Sequence, residues 1–419
     1  MKISVLLPTR DRLSLLRRAV DSVRRLDDLD WEIVISDNQS SEDVAGYVDS
    51  LEDARIRYLR TPALLPVAEN WNNALVHSSG DYFVMLGDDD ALLGNYFVRT
   101  RRLIAEFDHP EVIYHNALCY AYPGVVPSEP DGFLRSEGYA CFLHGAEQPF
   151  RLPAEEARAL VAGAMDFRLR YGFNMQFATF SRGLVEELSR TGQFFRSPFP
   201  DYFAMNHAFL RARSIVVEPN PLVVIGVSPR SYGFFHNNQR ETEGRSFLEG
   251  NATPEGISAR DPARVPGTNI NDGWLGAMEE LHRELGSPEE LRPNYRRYRR
   301  LQIVYVYCAR HLHGLGTPED LVELKRRLTR RERIFYDLLF GALGTIARLL
   351  PPPLRPYFTN VITVSPRQFP WWDPVRDPGR FGDIGEVVER IDGDRDPARW
   401  ERQRGSRLRA ALLRRMLPG

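Results

Sequence analysis

The apolar run Tyr82-Phe83-Val84-Met85-Leu86 breaks off at Gly87 and is followed at once by Asp88, Asp89 and Asp90. Such a run reads as a buried strand, and a chain that folds around it must deliver three carboxylates at the strand's end. Left to themselves the acids repel one another. A divalent cation removes that cost. Magnesium and manganese take oxygen ligands, commonly one or two carboxylates together with substrate phosphates and water. The structural alternative is a polar turn with an acidic helix cap.

The residues upstream repeat the pattern. Ile3–Leu7 is an apolar run closed by Pro8, followed by Leu13, Leu16, Val20, Val23 and Leu26 at helical spacing. Trp31–Ser36 is a second strand ending in Asp37-Asn38, Ile56–Leu59 a third, and Glu69–His77 a helix before the Asp81–Leu86 strand. Alternating short strands and helices predict an α/β fold with a Rossmann-like, mostly parallel central sheet flanked by helices. Ligands of such sheets sit outside the carboxyl ends of the strands. Thr9-Arg10-Asp11, Asp37-Asn38 and Asp88–Asp90 all fall at such ends, so three strands aim polar groups at one crevice.

At 419 residues the chain is long for one core, and 43% hydrophobic with 26% charged residues is the balance of a globular protein. Cys119, Cys141 and Cys308 are scattered, which fits a reducing cytoplasm and neither a zinc site nor a disulfide framework. The first residues read as a strand, not a signal peptide, and no segment approaches a transmembrane span. Net charge is −1, yet residues 292–333 hold twelve Lys/Arg against four Asp/Glu, and residues 396–419 hold seven Arg against two acids. Basic clusters of this kind are solvated helix faces by default and attract anionic surfaces otherwise.

Further along, a helix to about Phe107 and a strand over Val112–Tyr120 are expected, then a loop-rich excursion over Pro123–Pro153. A strand over Phe173–Phe180, a helix over Asp201–Ala212 and a strand pair around Pro219-Asn220-Pro221 follow. Residues 231–272 read as a mobile loop, 273–355 as a helical region and 356–419 as an extended, basic tail, all beyond a catalytic domain of residues 1–230. Within the helical region, Phe335, Leu338, Leu339, Ala342, Leu343, Ile346 and Leu349 form an apolar stripe.

Pro8-Thr9-Arg10-Asp11-Arg12, Ser36-Asp37-Asn38-Gln39-Ser40-Ser41-Glu42-Asp43 and Gly87-Asp88-Asp89-Asp90 occur in that order at the ends of strands one, two and four. Together they make the chain resemble family 2 glycosyltransferases over roughly residues 1–230. The resemblance implies the nucleotide-sugar-binding type A fold, here with a helical C-terminal appendage. It implies a nucleotide-diphosphate sugar donor, with UDP the first choice because an ionised carboxylate accepts from the uracil ring N–H. Pro8, Thr9 and Asp11 would line the nucleoside pocket and Asp37 would contact the base, with Asn70 and Asn73 facing the nucleotide. Asp90 would bind Mn²⁺ or Mg²⁺, with Asp88 reaching ribose or metal-bound water, and Asp89, on the other side of an alternating strand end, would matter least.

For an inverting transfer a carboxylate must take the acceptor hydroxyl's proton. Asp201, at the start of its helix, matches the position of the family's base, where the helix N-terminus would lower its pKa. The family's common Glu-Asp pair is Pro-Asp here, and Asp166 and Glu187 are the fallback bases. His236 would add a metal or diphosphate contact from the polar loop. The resemblance implies a glycan, lipid or small-molecule acceptor without saying which, and the C-terminal helices leave open a homo-oligomer or peripheral contact with the inner face of a membrane. No nucleic-acid partner is expected. A dinucleotide oxidoreductase or a nucleotidyltransferase would need a Gly-rich turn after the first strand, which Pro8-Thr9-Arg10-Asp11 is not. The competing reading is a glycosyltransferase-like scaffold that binds nucleotide sugars without turnover.

Overall fold

The computed structural model describes residues 1–238 apart from 29, 127–128, 138–139, 144–145 and 197–198, then 264–351 apart from 315–317, and finally 354–355, 376–377 and 379–394. The centre of the sheet is β1 (Ile3–Thr9), flanked by β2 (Trp31–Asp37) and β4 (Tyr82–Met85), with β3 (Ile56–Arg60) outside β2. These four strands are parallel, so their carboxyl ends lie along one edge. The crossovers run through α1 (Leu13–Arg24), α2 (Val44–Asp49) and α3 (Val67–Val76). Val5, Leu6, Ile33, Val34, Phe83 and Val84 are all fully buried, because helices cover both faces.

Beyond β4 the sheet becomes mixed. After β5 (Ala91–Leu92) and α4 (Tyr96–Glu106), β6 (Val112–Ala121) joins β4 through the antiparallel β9 (Ala178–Ser181). The Pro123–Pro153 excursion, expected to be loop, holds β7 (Phe133–Glu137) and β8 (Phe150–Leu152). β10 (Ile215–Val227) is one strand, not a pair. It runs parallel to β6 and shifts register between Glu218 and Val223, where Pro219 and Pro221 bring no ladder N–H. The expected strand over 173–180 starts only at Ala178, since Met175–Phe177 is a 3₁₀ turn.

Around these strands lie α5 (Ala154–Met165), α6 (Arg182–Leu188), α7 (Pro200–Arg211) and α8 (Tyr232–Asn237). The predicted loop over 231–272 is therefore partly helical, because α8 and the start of α9 (Asn269–Glu284) fall inside it; residues 239–263 lie outside those described. α9 packs on α7, its Trp274 ring 5.5 Å from Phe173 and 5.2 Å from Phe167. α10 (Tyr295–His311), α11 (Pro318–Arg326) and α12 (Arg330–Leu349) complete the helical region, α12 starting at a capping box between Thr329 and Glu332.

The tail does not simply extend away. β11 (Arg376–Asp377) pairs antiparallel with β7, and α13 (Ile384–Asp392) packs Ile384, Val387, Val388 and Ile391 into a cluster with Leu93, Leu118 and Val224. Ion pairs Arg18–Asp383 and Arg25–Asp392 fasten its two ends to α1. The rest of the 356–419 segment lies outside the described residues. Among the described residues no helix is long and apolar enough to cross a membrane.

Candidate active site

β4 ends at Met85, so the three aspartates stand on a turn and not on a strand, closed by the Asp90 amide donating to the Gly87 carbonyl at 3.1 Å. Strand alternation therefore does not place Asp88 and Asp90 together. Asp88 faces β1, where its two oxygens accept from Thr9 Oγ1 at 2.8 Å and from Arg12 Nη1 at 2.9 Å. Asp89 accepts from Ser228 Oγ at 2.7 Å through Oδ2, while its Oδ1 receives no side-chain donor among the described residues. Asp90 turns inward: Oδ1 accepts from the Gly226 amide at 2.8 Å, and Oδ2 from the Gly87 amide at 2.8 Å and Gln176 Nε2 at 2.7 Å.

All three acids are buried. Burial pushes the Asp89 and Asp90 carboxyls above the usual carboxylate range, with their mutual repulsion adding to it for Asp90. Arg12 is the counter-charge. Its burial disfavours the cation, but Asp88, Asp89 and Asp90 outweigh that and hold its pKa above the ordinary value. A divalent cation beside this turn would favour the ionised carboxylates that burial disfavours, and the hard oxygen donors suit magnesium or manganese. Asp90, the expected direct ligand, is the member whose oxygens are most committed to protein donors. Among the described residues no three His, Cys, Asp or Glu side chains converge as a self-sufficient metal cluster, so a cation here would need ligands from its substrate.

The loops after β1 and β2 interlock beside this turn. Asp11, at a positive φ of 51°, accepts from the Ser41 amide at 2.6 Å and Ser41 Oγ at 2.8 Å, which lowers its pKa. It does not cap α1; Glu42 accepts from the Leu13 amide instead. Pro8 lies opposite Ser36 within the β1–β2 ladder. Asp37 is fully buried and accepts from Tyr58 OH at 2.8 Å, Arg60 Nη1 at 3.0 Å and the Ser40 amide at 2.9 Å. The cap of α2 is Asp43. Asn70 and Asn73 both bond Ser36, at 2.6 and 2.7 Å, so they brace the end of β2.

Asp201 stands in the first turn of α7, partly buried, its Oδ1 accepting from the Tyr202 amide at 3.0 Å. Burial pushes its carboxyl up to about 7, overriding the helix terminus that was expected to lower it. Two contacts fix this end of α7. Phe173 packs on Tyr202 with ring centres 4.9 Å apart, and Phe199 lies so close to Gly273 of α9 that a Cβ there would meet its ring at 1.7 Å. Phe173 and Gln176 sit on one short segment, so the stretch that supports Asp201 also reaches Asp90. The fallback bases are engaged elsewhere, Asp166 with Asn294 at 2.7 Å and Glu187 with Arg213 at 2.6 Å.

His236 lies in α8, and none of the contacts that the aspartates make among the described residues is with it. The segment before α8 reaches the site through other residues. Ser228 bonds Asp89, Arg12 donates to the Arg230 carbonyl and Arg230 donates to the Asp11 carbonyl. Arg12, Gln176, Gly226 and Ser228 are thus site residues that sequence reasoning missed. Only Arg12 carried a local signal, as a cation one residue beyond the polar end of the first strand.

Residues 4–122 match the family model described as Glycosyl transferase family 2. Over 95 residues the chain is 39% identical to GalNAc(5)-diNAcBac-PP-undecaprenol beta-1,3-glucosyltransferase of Campylobacter jejuni, covering 22% of this chain and 31% of that one. Over 129 residues it is 32% identical to WcaA of Escherichia coli (strain K12), named as a colanic acid biosynthesis glycosyl transferase, covering 30% of this chain and 44% of WcaA. The chain thus spans less than half the length of either relative. Among solved structures it is similar to S. aureus TarS 1–349, with a TM-score of 0.45 and 14% identity over 78% of this chain and 89% of TarS. It is also similar to mannosyltransferase PcManGT from Pyrobaculum calidifontis, with a TM-score of 0.45 and 13% identity over 87% and 85%.

Proposed function

Residues 4–122 belong to glycosyl transferase family 2, and on that footing we propose that the chain is an inverting, metal-dependent glycosyltransferase that moves a sugar from a nucleotide-diphosphate sugar, UDP-linked in the first instance, to an acceptor hydroxyl. The observation that carries this reading is the acid turn at the end of β4, bonded to Thr9 and Arg12 at the end of β1, whose loop interlocks in turn with the loop after β2 through Asp11 and Ser41. A nucleotide laid along that edge would meet the β1 and β2 loops with its nucleoside and the acid turn with its diphosphate.

In this reading Mn²⁺ or Mg²⁺, held by the Asp88–Asp90 turn and the donor's phosphates, supplies charge stabilisation to the departing diphosphate. Asp89 is the carboxylate we assign toward the cation, with Asp88 beside it, and Asp90 anchors the turn. Arg12 offsets the remaining negative charge and can follow the diphosphate. Asp201 takes the proton from the acceptor hydroxyl as that oxygen attacks the anomeric carbon from the face opposite the leaving nucleotide. A carboxyl poised near 7 is a stronger base than an ordinary carboxylate and is still ionised in part at neutral pH.

The acceptor class supported by analogy is a glycan or lipid-linked saccharide, since one relative is named for an undecaprenol-linked substrate. A non-catalytic nucleotide-sugar binder is the second reading, favoured by one observation: Asp37, Asp88 and Asp90 already have protein donors on both oxygens. Thermal shift against a panel of nucleotide diphosphates and nucleotide sugars, with and without Mn²⁺ or Mg²⁺, tests binding. Hydrolysis or transfer from the stabilising donor, lost in Asp89→Asn and Asp201→Asn, separates the enzyme from the binder. If no nucleotide diphosphate stabilises the protein with either cation, both readings fall.

A further inference from the structure

The stripe of apolar residues on α12 is wider than its packing uses. One side of this helix is spent on α10: the Phe340 ring packs 5.4 Å from that of Tyr307, and Gly344 passes the His311 carbonyl so closely that a Cβ would meet it at 2.8 Å. The other side is uncovered among the described residues. Phe335 is 59% exposed, Leu338 70% and Leu349 80%, and Ile334, Leu339 and Ile346 lie on the same face. Over 20 residues, about 30 Å of helix at 1.5 Å per residue, this is a long exposed apolar surface, of the kind that marks a docking site.

Its charges identify the occupant. At helical spacing Arg331 falls on the open face and Arg330 and Arg348 border it, while Arg333 lies on the Tyr307 side; all are exposed, and none makes a salt bridge among the described residues. The helix has two acids, and both are neutralised: Glu332 by its cap and Arg299, Asp337 by Lys325 at 2.7 Å. The open face is therefore apolar with a cationic border, and among the described residues no unpaired acid of α12 balances it. An anionic lipid surface complements both properties. The same charged residues bar the helix from crossing a bilayer, which leaves it lying in the interface plane.

We propose that the Ile334–Leu349 face of α12 docks the protein on an anionic bilayer, with its leucines and phenylalanine in the acyl boundary and its arginines among the headgroups. This surface shares no residue with the acid turn or Asp201, so it stands or falls apart from the transferase reading.

The test is flotation of the 419-residue chain with vesicles of phosphatidylcholine alone and of phosphatidylcholine mixed with phosphatidylglycerol. Binding is expected to the mixed vesicles, to weaken with salt, and to fall at least about tenfold in Leu338→Glu/Leu349→Glu. Arg330→Glu/Arg331→Glu should remove the preference for phosphatidylglycerol. Both pairs are exposed, so unchanged melting temperatures are expected; if the leucine variant unfolds, the arginine variant carries the test alone. Absence of binding overturns the proposal, as does binding that neither variant weakens, which would point to another surface. So does a light-scattering dimer that Leu338→Glu/Leu349→Glu dissolves in a protein that ignores vesicles, the signature of self-association.

Discussion

The Gly226 amide donates to Asp90 Oδ1 at 2.8 Å while the Gly226 Cα passes the Asp89 carbonyl so closely that a Cβ would lie 1.8 Å from it. A strand formed more than a hundred residues later thus fixes the shape of the acid turn. Gly226→Ala must push the turn away from β10. We expect a loss of about 1–3 kcal/mol of stability, as for other overpacked sites, together with loss of cation-dependent nucleotide binding. Denaturant melts and Mn²⁺-dependent thermal shift measure the two. Normal stability and binding in this variant would show that the turn is not held by β10.

The three acids should separate by phenotype. Asp90 accepts from two backbone amides and Gln176, so Asp90→Asn sets an amide nitrogen against an N–H donor and should cost about 1–3 kcal/mol. Asp89→Asn keeps an oxygen for Ser228 and should leave the melting temperature of the apo protein close to wild type while abolishing the extra stabilisation by Mn²⁺ and nucleotide. A cation response that survives Asp89→Asn and disappears in a fully stable Asp90→Asn would return the metal to Asp90.

Asp201 gives a pH signature of definite sign. Its carboxyl is raised to about 7 by burial, so between 3.8 and about 7 the folded protein holds a proton that the unfolded chain has lost. Stability attributable to this group therefore falls as pH rises through that window and stays reduced above it. Asp201→Asn should raise stability at pH 8 by about 1–3 kcal/mol and flatten this dependence. As the proposed base Asp201 must be ionised, so transfer should rise with pH through about 7 in the wild type and drop by about 10²–10⁴ in Asp201→Asn. A variant that transfers sugar normally would assign the base elsewhere.

Removing everything after residue 355 deletes α13. Ile384, Val387, Val388 and Ile391 leave the cluster they share with Leu93, Leu118 and Val224, and the Arg18 and Arg25 ion pairs go with them. At about 1.5–3 kcal/mol for each fully buried aliphatic side chain, and allowing for partial collapse, the truncated protein should lose about 3–6 kcal/mol. Thermal melts of the two lengths decide this. Equal melting temperatures would make α13 a loosely held appendage.

The strands that build the crevice were legible because parallel strands covered on both faces are continuous apolar runs, and Ile3–Leu7, Trp31–Ser36 and Tyr82–Leu86 are such runs with polar residues at their ends. The relation among the acids was not legible, because period-two alternation applies to a strand and β4 stops at Met85. Asn70 and Asn73 carry the right chemistry for a nucleotide but are spent on Ser36. The apolar stripe of α12 was readable as a stripe, but which part of it stays open depends on where α10 lies.

By itself the sequence determined the local matters: which segments are strands, that three of them end in polar residues at one edge, and that three carboxylates are held together on three consecutive residues. Tertiary structure decided what each carboxylate can do. Gln176 comes from 86 residues beyond Asp90, Gly226 from 136 beyond it and Ser228 from 139 beyond Asp89. Burial raises Asp201 against the pull of its own helix. Hydrogen-bond donors and desolvation act over a few ångströms of space regardless of chain separation, and no local pattern encodes which distant residues will fill that space.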